Sequence, residues 1–113
     1  MADSLTVAEA LERAADLIEP EGKWTQGRPA RGKDGAFVDA RSPQAVCWCA
    51  IGAVDAAVAS ATFYFTALKA RDALRFAIGS GFIVDWNDAP ERTQTEVVAK
   101  LREAAALARA EGK

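Results

Sequence analysis

Apolar residues recur at helical spacing in three stretches of the chain, and crowd together or alternate in two others. Ala10, Leu11, Ala14, Leu17 and Ile18 fall on one helical face. Thr6 and Glu9 form a T-x-x-E capping box in front of them, and Leu5 and Ala10 are spaced as a hydrophobic staple. Pro20 ends this first predicted helix. A helix over roughly 62–78 follows from the stripe Phe63, Ala67, Ala70, Leu74, Ala77 and Ile78, with Lys69, Arg71, Asp72 and Arg75 mainly on its other side. Gly79 and Gly81 supply a left-handed stop. A last helix opens with the capping box Thr93 to Glu96 and turns Val97, Val98, Leu101, Ala104, Ala105 and Ala108 to the core.

The crowded stretch is AVCWCAIGAV, residues 45–54, without a charge. Ser42 as N-cap and Pro43 at the first helical position predict a helix over about 43–57, apolar on all sides and therefore central and buried. Gly52 inside it costs about 1 kcal/mol relative to alanine, which points to close approach of a neighbouring helix. The alternating stretch is 82–92, where Phe82, Val84 and Trp86 alternate with Ile83 and Asp85. It predicts an extended segment and then a turn. Residues 21–41 have no helical period, and Lys33-Asp34-Gly35 marks a turn. This excursion reads as an irregular loop or a small β-hairpin, with Trp24 as its anchor. The expected fold is a mainly α, four-helix single domain spanning 1–113 around the central helix.

Composition narrows the function more than it names it. Half of the 113 residues are apolar and 27% are charged, the ordinary globular mix. There is no histidine, which removes the commonest general base, the commonest zinc ligand and every Ser-His-Asp or Cys-His arrangement. No phosphate-binding glycine motif is present, so no cofactor is expected. The acidic start of the chain is unlike a signal peptide, and no run of apolar residues is long enough to span a bilayer. A cytoplasmic protein without a membrane role is the expectation. Net charge is −2, without the strong basic stripe of a dedicated nucleic-acid binder.

Three groups of residues are candidates for chemistry. Cys47 and Cys49, if helical, project about 200° apart, too far to share a metal or a disulfide, and beyond the first-turn amides that activate a thiol. Both then read as small buried hydrophobes, and no metal site is expected. Trp86-Asn87-Asp88 reads either as turn chemistry or as polar groups beside an apolar pocket. The loop cations Lys23, Arg28, Arg31, Lys33 and Arg41 read as a solvated surface, or as contacts to an acidic partner or phosphate. The acidic outer face of the first helix, Glu9, Glu12, Asp16 and Glu19, reads as plain solubility.

The segments AADLIEPEGKWTQG, CWCAIGA and WNDAPERTQTEV together resemble a group of small bacterial and phage proteins forming a family of unknown function. The likeness runs from about Ala10 to Leu107. Cys49 to Ala53 and Trp86 to Asp88 are its most specific parts. It implies a compact, mostly helical fold, and that Cys49, Asn87 and Asp88 act together by packing the loop onto the central helix. The sequence thus favours a non-enzymatic protein-binding or regulatory module, phage- or mobile-element-associated, with Trp24, Arg28, Arg31, Cys49, Trp86, Asn87 and Asp88 as binding residues. Its protein partner is unspecified, and a homodimer stays open. The alternatives are an enzyme or small-ligand binder around Cys49, Asn87 and Asp88, and a nucleic-acid-binding accessory using the 23–41 loop.

Overall fold

The computed structural model describes residues 5–58 and 64–113. Among them the chain runs α1 (Val7–Ile18), β1 (Ala30–Arg31), β2 (Cys47–Trp48), α2 (Ala50–Ala57), α3 (Tyr64–Ile78), α4 (Ile83–Asn87) and α5 (Gln94–Ala110). The fold is mainly α. The expected start of the third helix at Thr62 and its core position Phe63 lie outside the described residues.

The two capping boxes form as the sequence predicts. Glu9 N–H donates to Thr6 Oγ1 and Thr6 N–H to Glu9 Oε1, each at 3.0 Å. Thr93 and Glu96 do the same for α5. Each box satisfies orphan donors of a first turn, and a single cap contributes about 1 kcal/mol. α1 and α5 pack along each other, with α3 against both. Small alanines such as Ala10, Ala14, Ala104 and Ala105 bring the helices close, and Leu11, Ile18, Leu74, Val97 and Leu101 fill the core between them. The acidic face of α1 is not a bare solvated surface. Arg102 of α5 donates to Glu12 at 2.6 Å, Glu19 at 2.9 Å and Asp16 at 3.0 Å. Gln94 closes the C-terminal end of α1, donating at 2.6 Å to the Ile18 carbonyl, which the helix leaves unsatisfied, and at 2.8 Å to the Pro20 carbonyl just beyond it.

Two expectations are corrected. The central helix begins at Ala50 with Cys49 as its N-cap, not at Pro43. Ser42 and Pro43 make a turn instead, in which Ala45 N–H donates to the Ser42 carbonyl at 3.1 Å and Gln44 N–H to Ser42 Oγ at 3.0 Å. Residues Cys47–Trp48 are extended because loop backbone satisfies them on both edges. On one edge, β1 pairs antiparallel with β2, Ala30 opposite Trp48 and Arg31 opposite Cys47. On the other, Trp48 N–H donates to the Lys23 carbonyl at 2.9 Å and Thr25 N–H to the Trp48 carbonyl at 3.0 Å. The apolar run that reads as an all-round buried helix is thus a two-residue strand at Cys47–Trp48 leading through Cys49 into a helix from Ala50.

The second correction concerns 82–92. Ile83–Asn87 is a short helix, α4, rather than an extended segment. Gly79 and Gly81 adopt φ of +105° and +79°. They redirect the chain so that Ile83 and Asn87, four residues apart, both turn inward, while Phe82 and Val84 are left exposed. A hairpin within 21–41 forms only as a remnant. Arg31 bridges Phe37, with Gly32 N–H donating to the Ala36 carbonyl at 2.9 Å, around the expected turn at 33–35.

Candidate functional site

Asn87 is the only fully buried polar side chain among the described residues, at 1% exposure. It stands at the end of α4, where three separate parts of the chain meet. Its Oδ1 accepts from the Trp24 indole N–H at 2.8 Å and from the Ala50 backbone N–H at 3.0 Å. Its Nδ2 donates to the Thr25 carbonyl at 3.2 Å and to Asp88 Oδ1 at 2.9 Å. An amide carbonyl has two lone pairs and an amide nitrogen two hydrogens, so these four bonds use the whole capacity of the side chain. The Ala50 N–H is one of the donors a helix N-terminus leaves open, so Asn87 also caps α2 from outside its own chain segment.

Neighbouring groups complete the cluster. Gln26 Nε2 donates to the carbonyls of Asn87 at 2.9 Å and Ala89 at 3.0 Å, which closes the C-terminus of α4. Asp88 Oδ1 also accepts from Gly27 N–H at 3.0 Å. Arg31 is bound into the loop, donating to Thr25 Oγ1 at 3.1 Å, the Gln26 carbonyl at 3.0 Å and the Gly35 carbonyl at 3.1 Å. Trp86 is half-buried, with the Arg92 guanidinium 4.2 Å above its ring, and Arg92 Nε donates to its carbonyl at 2.8 Å. Arg28 is exposed and lies over Phe37 at 5.3 Å. Of the residues singled out in the sequence, Trp24, Asn87, Asp88 and the N-cap Cys49 come together. Arg31 serves the same loop from within, while Arg28 stands apart on its surface. Trp86 lies on the same helix as Asn87 but turns toward Arg92.

Cys49 is placed differently from the sequence expectation, and its chemistry changes with the placement. As N-cap it meets the first turn directly, its Sγ accepting from Gly52 N–H at 3.4 Å. With extended backbone at 47–49, the side chains of Cys47 and Cys49 project to the same side rather than opposite ones. Burial pushes the Cys49 thiol up, against the lowering effect of the Gly52 and Ile51 amides, and the negative charges of Asp88 and Asp55 add to the rise. The thiol stays protonated at neutral pH, where a nucleophile needs the thiolate. Iodoacetamide is expected to leave Cys49 untouched in the native protein and to alkylate it only after denaturation. Peptide mass mapping reads this out, and native alkylation at Cys49 contradicts it.

Residues that sequence reasoning passed over are Thr25 and Gln26, which bind through backbone or an ordinary amide and carry no distinctive spacing. Phe65 and Phe76 were also hidden, two large apolar residues on the polar side of α3. They are 71% and 76% exposed. Phe76 and Leu107 border a cleft of about 700 Å³ between α3, the end of α5 and the start of α1, with Lys69, Asp72 and Glu111 also along it. This cleft lies away from the Asn87 cluster.

Fold and cluster together define a small alanine-rich helical protein whose loop is fastened to its helices by one buried asparagine. The chain belongs to a family of unknown function, DUF6197, whose family model matches residues 2–107. No curated protein and no solved structure matches the chain. Among the described residues no helix is long and apolar enough to cross a membrane.

Proposed function

We propose that the protein is a non-enzymatic protein-binding module of the cytosol, in which the Trp24–Asn87–Asp88 cluster with Cys49 is an internal brace and the outer face of α3 does the binding. The observation that carries this reading is the exposure of Phe65 and Phe76 on that face. The two rings lie on one helical face with Lys69 and Asp72 between them, and aromatic residues concentrate binding energy at interfaces. The brace supports the reading from the other side. Asn87 has no hydrogen-bonding capacity left for a ligand, and a buried, protonated Cys49 lacks the reactive form of a thiol. Arg31 turns its guanidinium to the loop's own carbonyls and so is not offered to an outside anion.

A photo-crosslinking residue at position 76, in protein expressed in its own host, is expected to give discrete adducts, and these vanish when F65E is added. The same residue at exposed position 13 on α1 is expected to give none. Absence of adducts at position 76, or equal labelling at both positions, overturns the assignment of the face.

A further inference from the structure

The outer stripe of α3 reads Phe65, Lys69, Asp72, Phe76, all exposed. At about 100° per residue they lie within about 60° of arc, opposite the buried Ala67, Ala70 and Leu74. Their spacing of four, three and four residues is the same read in either direction. A two-fold axis passing between residues 70 and 71 therefore pairs Phe65 of one chain with Phe76 of the other, and Lys69 with Asp72, each pair occurring twice. We infer that the occupant of this face is a second copy of the chain, docked as an antiparallel α3–α3 pair. The inference rests on the reading of the face as a binding surface and adds the partner.

Charge and shape both fit a copy better than an unrelated partner. Every charge on the stripe meets its opposite only in the antiparallel, two-fold register. A parallel pairing sets Lys69 against Lys69 and Asp72 against Asp72. The cleft beside Phe76, walled by Ala73, Ala104 and Leu107, receives the incoming Phe65 ring, and the edge contact of Tyr64 on Phe65 at 5.7 Å extends the apolar surface. Phenylalanines at the two ends, about 16 Å apart along the helix, bracket the central charges. This is an apolar contact with a polar register mark inside it. Asp72 also pairs with Arg75 at 3.2 Å within the helix, an exposed contact that contributes little to stability.

Sedimentation of the purified protein from low micromolar to several hundred micromolar tests the inference. The wild type is expected to move from the 12.0 kDa chain mass to twice that mass. K69D sets two acidic residues against each other across the interface, and D72K sets two basic ones. Each is expected to raise the dissociation constant roughly tenfold or more, since both symmetric pairs are lost and reversed. An equimolar mixture of K69D and D72K is expected to recover the dimer as a heterodimer, because the acid introduced at position 69 of the first variant then faces the base introduced at position 72 of the second. Circular dichroism checks that both variants keep the wild-type fold. A wild type monomeric throughout, single variants that dimerise as well as the wild type, or a mixture that stays monomeric overturns the inference. In each of those cases, host adducts from position 76 at the mass of another protein keep the broader binding reading standing.

Discussion

Replacing Asn87 by alanine is expected to lower the unfolding free energy by roughly 4 kcal/mol. The substitution leaves the Trp24 indole N–H and the Ala50 N–H without their acceptor in a buried setting, at about 1–3 kcal/mol for each unsatisfied donor. It also frees the Thr25 carbonyl and opens a cavity. Against a typical total of about 5–15 kcal/mol, this removes a large share of the stability. The melting temperature of so small a chain is expected to fall by about 15 °C or more, as read by calorimetry or circular dichroism. N87D separates the two halves of the brace. It keeps an oxygen for Trp24 and Ala50 but turns a second oxygen toward the Thr25 carbonyl and the Asp88 carboxylate. It is expected to be as damaging as N87A at neutral pH. It recovers part of the loss in acid, because burial favours the protonated carboxyl in the folded state, so the recovery is complete only below the ordinary carboxyl pKa and is lost as the pH rises from there through the raised folded pKa. A melting temperature for N87A within a few degrees of the wild type refutes the brace.

The second large effect is expected at Gly52. Helix propensity alone makes G52A stabilising by about 1 kcal/mol. The packing reverses the sign. A Cβ at position 52 falls on the Pro29 carbonyl, with the Pro29 carbonyl carbon 2.7 Å away. That same carbonyl accepts the Cys49 N–H at 3.0 Å, so the loop cannot retreat without breaking the bond that joins it to the N-cap of α2. Overpacking of this kind costs typically 1–3 kcal/mol and occasionally more. Collision with backbone rather than with the end of a side chain puts G52A at the upper end, about 3 kcal/mol destabilised in urea or thermal unfolding. A stabilised G52A means that the loop and α2 do not meet as described.

Gly52 also shows how sequence can identify a requirement without its cause. A glycine in an apolar helix signals close approach, and the approach is real. The approaching element is loop backbone at Pro29 rather than a neighbouring helix. Local signals were legible wherever the physics is local. The capping boxes at Thr6 and Thr93, the α1 and α5 stripes and the glycine stop after α3 depend on residues within one or two turns of each other. Residues 42–49 misled because Ser-Pro followed by apolar residues satisfies helix rules. Their extended form is imposed by hydrogen bonds from residues 23–31, which no local pattern encodes. α4 was hidden because a helix of five residues shows a single i, i+4 pair, Ile83 with Asn87, and the alternation of Phe82, Val84 and Trp86 fits a strand equally well.

The candidate cluster was legible by residue and not by role. Cys49, Asn87, Asp88 and Trp24 stood out as residue types, and family resemblance set the first three together. Nothing in the sequence shows that a single amide oxygen joins the 24–25 loop segment to the start of α2. The outer stripe of α3 is legible in retrospect. Two phenylalanines on an otherwise charged face are the signal, and the palindromic spacing becomes visible only once that face is known to point away from the core.

The central claim, that Asn87 fastens the loop and caps α2 at once, is tested most directly by hydrogen exchange at the Ala50 amide. The first amides of a helix have no partner within it and ordinarily exchange fast. In the wild type the Ala50 amide is expected to be protected to the same degree as the core amides of α2. In N87A it is expected to exchange at the rate of an open peptide while the amides of α5 remain protected. An Ala50 amide that exchanges freely in the wild type, with α2 otherwise protected, contradicts the account.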